Sequence, residues 1–260
     1  MRKRRRGETR HTIAMTTRAS SPGPDGVLVW HAHTRDLFPN EASRTRARSL
    51  LSAADRQRDD AYRHETDRLM FVGGRVMART LVGRALGVAP DEWRWRDGPR
   101  GRPEVAAPAT TLTFNLAHSA GLVVCALADG REVGADVEDR LRRPVDRLVV
   151  PRYCAPDEAR DIDAQGDAGW HDRFLRYWTL KEAYLKARGL GIALPLAEIS
   201  FALDAGTPRV TFIKSLAGTD ERWAFHLAEP TTQHVLAVAA SCPDGRRPSF
   251  VVAPFEPDAR

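Results

Sequence analysis

The sequence predicts an α+β fold, because helical and strand-rich stretches follow one another in blocks along the 260 residues. Three observations carry this expectation. Residues 41–87 follow a mostly helical pattern, and residues 112–139 hold short apolar, β-rich runs broken by turn signals. A long helical run near residues 170–188 is then followed by four more strand-like runs.

Taken in order, "VLVWHAH" alternates from Val27 and reads as a first strand. One helix is expected near Glu41–Leu51 and another from about Asp67 to Leu86, stopped by Gly87 and Pro90. The Pro-, Gly- and Arg-rich stretch from Asp97 to Pro108 is expected to be loop throughout. "TLTFNLAHS" and "LVVCALA" read as two strands joined at Ala120-Gly121, and Asp129-Gly130 signals a second hairpin into "REVGADVED". Pro156 suits the first turn of a short helix. A long helix is expected from Trp170 to Arg188, ended by Gly189, with "AEISFAL", "RVTFI", "WAFHLAE" and "HVLAVAA" as further strands.

Composition bounds the function. With 42% hydrophobic and 28% charged residues the chain reads as a soluble globular protein, and no apolar run reaches the length of a membrane span. Cys125, Cys154 and Cys242 are odd in number and form no CxxC pair, which argues against a disulfide framework or a zinc site and fits a reducing cytoplasm. The net charge of +6 sits mainly in the first ten residues, where six basic residues face Glu8 alone. That tail could touch nucleic acid or an acidic membrane; the plainer reading is a disordered extension, or a start at Met15. The body lacks basic stretches interleaved with stacking aromatics, the GxxxxGK[ST] loop and the GxSxG elbow. Only four lysines stand against 36 arginines, and two of the four, Lys181 and Lys186, lie within one short stretch. A compact ammonium is wanted there.

Two elements can carry chemistry. In "VGADVED" a strand would place Asp136 and Glu138 on one face, with Gly134 leaving room beside them and Val133, Ala135 and Val137 turned into a core. Paired carboxylates invite a hard cation such as Mg²⁺, or form a merely acidic outer strand face. In "WTLKEAYLK", Glu182 and Lys186 share a helix face one turn below Trp178, as a site or as a surface ion pair.

Together the two elements are far more specific. A strand with Gly134, Asp136 and Glu138, followed some 45 residues later by Trp178, Lys181, Glu182, Ala183 and Lys186, resembles the signature of the Sfp-type phosphopantetheinyl transferases. "FNLAHS" upstream and "GLGIALPLAEISF" downstream extend the resemblance, which covers roughly residues 45–240.

The resemblance implies two pseudo-symmetric α+β halves, each a small, mainly antiparallel sheet packed with helices, with coenzyme A in the cleft between them. After a basic tail at 1–26, the halves would span 27–133 and 134–254. Asp136, Glu138 and Glu182 would hold Mg²⁺, with Mn²⁺ able to substitute. Glu182 would act as general base, and Lys186 would act on the phosphates of coenzyme A. His118, Ala117 (where the family carries Ser), Arg102, Arg68 and Arg75 are the further coenzyme A candidates. Glu158 matches a family glutamate, but an acid in a helix first turn is favoured regardless, and it is left outside the catalytic set. The resemblance further implies an apo carrier protein as partner, no nucleic acid, no membrane, and a monomer, since both halves lie in one chain.

Overall fold

The alternating run at Val27 forms strand β1 (Gly26–His33). The structure, a computed structural model, describes residues 21–23, 25–98, 102–191, 194–203, 206–216 and 222–256; the first 20 residues of the basic tail lie outside them. A short turn of helix, α1 (Thr34–Leu37), leads to α2 (Glu41–Ser49), which is capped by reciprocal bonds between Asn40 and Ser43. Ser52 then caps an additional helix, α3 (Ala53–Ala61), before the long α4 (Glu65–Leu86). The Gly73-Gly74 pair that weakens α4 intrinsically is used for packing. A Cβ at Gly73 would stand 3.1 Å from Val123 and 3.2 Å from Leu37, so the bare backbone lets the helix settle on the sheet.

The stretch read as loop holds a hairpin instead, β2 (Arg94–Asp97) with β3 (Pro103–Ala107). Trp95 lies opposite Val105 across it and both pack on the core, so two apolar anchors outweigh the Pro/Gly/Arg composition. Next come β4 (Leu112–Ser119) and β5 (Leu122–Asp129), joined tightly through Ala120-Gly121. The second expected hairpin does not form: β6 (Val133–Asp139) leaves β5 and pairs with a different sheet. Both edges of β5 are already taken, by β1 and β4.

Short helices α5 (Val150–Tyr153) and α6 (Pro156–Ala164) precede α7 (Gly166–Arg188), which begins a turn earlier than expected and ends at Gly189. Strands β7 (Ile199–Ala202), β8 (Arg209–Phe212), β9 (Trp223–Thr231) and β10 (His234–Ser241) follow. An unexpected last strand, β11 (Ser249–Pro254), pairs in parallel with β1. The larger sheet runs β11-β1-β5-β4 and the second β6-β10-β9, with β2-β3 and β7-β8 as separate ribbons.

The α+β class holds, with small and mainly antiparallel sheets. The two larger sheets stack face to face: Val27, Val29, Val124 and Ala126 meet Val133, Ala135, Leu236 and Val238 in a shared core. α4 covers the outer face of the first sheet, and α7 the outer face of the second. Among the described residues no helix is long and apolar enough to cross a membrane.

Candidate active site

Strand β6 is two-faced. Val133, Ala135 and Val137 enter the core between the sheets, while Gly134, Asp136 and Glu138 face α7. The room left by Gly134 proves to be for the helix rather than for a ligand. A Cβ there would press into Ala183 O and Ala187 N and stand 2.8 Å from Ala187 Cα. That close approach brings α7's half-buried stripe of Trp178, Glu182 and Lys186, four residues apart, over the two acids.

Lys186 Nζ donates to Asp136 Oδ1 at 2.7 Å. The partner expected from helix spacing alone was Glu182; the ammonium instead crosses to the strand. Trp178 Nε1 donates to Glu138 Oε1 at 2.9 Å, and Arg142 Nη1 donates to Glu138 Oε2 at 2.7 Å. Burial and the neighbouring Asp136 carboxylate raise the Glu138 pKa, against Arg142 and Trp178. Burial, Asp136 and Glu138 likewise raise that of Glu182, with Lys186 opposing. Asp136 Oδ2 and Glu182 Oε1 are closed from solvent and accept no hydrogen bond.

His118 stands near the end of β4, where its imidazole pKa is lowered by burial and by the Lys186 ammonium, while Asp67 of α4 acts the other way. Arg102 reaches the end of α7 and donates to Ala187 O at 2.5 Å; its neighbour Gly101 lies outside the described residues. The Ala117 side chain is buried between the sheets, so only its backbone, on the sheet-edge strand β4, is open to a ligand role. Arg68 and Arg75 are tied to α3 instead. Arg68 bonds Asp59 at 2.8 Å and lines a cavity of about 360 Å³ beside α2. Arg75 bonds Asp55 at 2.9 Å and lies 3.9 Å over the Trp95 ring, with 11% of its side chain exposed.

Lys181, next to Glu182 in sequence, turns into the interior. Its Nζ donates to the carbonyls of Tyr153, Leu196 and Ile199 at 2.7–2.8 Å and pairs with Glu158 at 2.5 Å, both side chains being essentially fully buried. Glu158 in turn accepts from Ala155 N and Phe201 N. The pair ties α7 to α6, β7 and the connecting turns. Sequence reasoning missed Arg142; its only signal was the basic cluster of Arg140, Arg142 and Arg143 directly behind two acids.

Comparison with known proteins bears on this geometry. A family model described as "4'-phosphopantetheinyl transferase superfamily" matches residues 132–239, the stretch that supplies β6 and α7. The "Phosphopantetheinyl transferase" of Thraustochytrium sp. is 33% identical over 229 residues, 83% of this chain and 79% of that one. The "4'-phosphopantetheinyl transferase HetI" of Nostoc sp. is 33% identical over 197 residues, 74% and 79% of the two chains. A "4'-phosphopantetheinyl transferase" of Bacillus subtilis is 28% identical and spans 81% and 90%.

The chain belongs to the phosphopantetheinyl transferase superfamily.

In this transferase the donor set suits a hard cation: oxygens only, two of them buried and unbonded, on carboxylates that repel one another. Among the described residues no three acidic, His or Cys side chains form a cage that could hold a metal ion as they stand. Lys186 and Arg142 occupy oxygens that such a cage would use.

Proposed function

We infer that this transferase moves the 4′-phosphopantetheine group of coenzyme A to a serine of an apo carrier protein, releasing adenosine 3′,5′-bisphosphate. The cluster of Asp136, Glu138 and Glu182 beneath Lys186, in a chain of this family, is the observation that carries the reading. Asp136, Glu138 and Glu182 are assigned to Mg²⁺, or to Mn²⁺ in its place. Bound there, the cation supplies charge neutralisation for the pyrophosphate.

The chain's own residues do the rest. Glu182, directly or through a water, takes the proton of the serine hydroxyl as its oxygen bonds to the β-phosphorus. The bond from that phosphorus to the bridging oxygen breaks, and its electron pair leaves with the bisphosphate. Lys186 brings a compact positive charge to the same place. His118, Arg102 and the Ala117 backbone are assigned to the phosphates of coenzyme A. For the 3′-phosphate Arg68 is better placed than Arg75, whose guanidinium is enclosed by Asp55 and Trp95. With one cluster formed within one chain, the working unit is a monomer. The nucleic-acid reading of the tail draws no support from these relatives.

Replacing Asp136 by Ala tests the assignment. Transfer should fall by a factor of roughly 100 or more, as for loss of a principal stabiliser of transition-state charge, with the fold retained. Excess chelator should stop the wild type. Full turnover in either case contradicts the site.

A further inference from the structure

Arg142 lies just beyond β6, in a segment to which the proposed mechanism gives no task. Its Nη1 donates to Glu138 Oε2 at 2.7 Å, an oxygen that a cation in the cluster would use. Lys186 makes the equivalent contact to Asp136 Oδ1, also at 2.7 Å. Asp136 is only 7% exposed, and its second oxygen has no partner, so the cluster has unfilled ligand capacity pointing inward.

The two cations are similarly exposed, 33% for Lys186 and 41% for Arg142, but stand on different kinds of element. Lys186 springs from the last turn of a long helix packed along β6. Arg142 springs from a turn fixed by Asp139, which accepts from Leu141 N at 2.8 Å and from Arg142 N at 3.2 Å. Its side chain is 41% exposed, against 14% for Glu138. A guanidinium at that boundary can pass into water with little desolvation to reverse, whereas the buried carboxylate must keep a positive partner.

Resting on the metal assignment above, we propose that Arg142 is a displaceable counter-ion of Glu138. It neutralises the carboxylate while no divalent cation is bound, and gives up Oε2 when one enters. Arg142 thereby sets the affinity of the cluster for its cation, since every cation that binds must first break this ion pair.

The test is direct titration of the full chain with Mn²⁺ alone, read from the resonance signal of the free ion, so that turnover plays no part. Arg142→Gln should tighten Mn²⁺ binding about tenfold, the scale of one charge-assisted hydrogen bond. Arg143→Gln removes the same charge one residue away and controls for the general field; it should change affinity by less than about twofold. Unchanged affinity in Arg142→Gln, or equal tightening in both variants, overturns the inference and leaves the metal assignment standing. If wild type and Asp136→Ala take up Mn²⁺ equally, the metal assignment itself has failed.

Discussion

Lys186 is where a surface ion pair and a working charge make different demands. Its Nζ sits on Asp136 rather than on Glu182, so it bridges helix and strand at the mouth of the carboxylate cluster. An arginine could keep an ion pair with Asp136, but its planar fork would replace a point charge with a wider group. Lys186→Arg should therefore lower single-turnover transfer at least ~10-fold, about 1.4 kcal/mol of transition-state stabilisation, with little change in melting temperature. A wild-type rate in this variant would return Lys186 to a structural role. Lys181 makes the opposite case, since its ammonium is spent on three carbonyls and Glu158 inside the protein. Lys181→Met should cost about 3–5 kcal/mol of stability, because it strands a buried carboxylate. The cost should depend on pH. Burial pushes the Glu158 carboxyl up and Lys181 holds it back, so without Lys181 it rises further. A carboxyl whose folded-state pKa lies above its unfolded value contributes stability below the unfolded pKa and loses it as pH climbs through the folded one. The variant's deficit should be smallest in acid and grow toward neutral pH. Melting curves across that range would show it, and a deficit equal at every pH would contradict the stranded carboxylate.

At the scale of elements, the site depends on how closely α7 lies on β6, and Gly134 permits that approach. Gly134→Ala should destabilise the protein by on the order of 3 kcal/mol, because the added methyl meets helix backbone that cannot rotate away. Transfer should fall with it as Glu182 and Lys186 are lifted from Asp136. Denaturant unfolding alongside rate measurement checks both, and unchanged stability would mean that the helix relaxes freely. The sequence marked Gly134 as leaving room beside the two acids, whereas the room is taken by the backbone of α7. A close approach between elements 45 residues apart has no local signature. Period-2 and period-4 spacing put Asp136 with Glu138 and Glu182 with Lys186 on shared faces, and only the family resemblance joined the two pairs, whereas Arg142 meets Glu138 from irregular chain, where spacing says nothing about contact. The β2–β3 hairpin was hidden for a related reason. Its composition is that of a loop, and only tertiary packing of Trp95 and Val105 makes it a ribbon.

The whole molecule is a stack of helix, sheet, sheet and helix, and both sheets contribute to the cluster's surroundings. β6 and α7 supply the acids and Lys186, while His118 arrives from β4 of the other sheet. The stack rests on non-local pairings that single stretches do not reveal. Asp129-Gly130 looked like a hairpin, yet the chain crosses between sheets there, and the last strand returns to lie beside the first. Intact-mass spectrometry of an apo carrier protein incubated with the enzyme, coenzyme A and Mg²⁺ measures directly whether this assembly modifies a carrier serine. A mass increase of one phosphopantetheine group is predicted, absent when the acceptor serine is replaced by alanine and absent with the Asp136→Ala enzyme. An unmodified carrier, across acyl, polyketide and peptidyl types each converted by a known transferase in parallel, would contradict it.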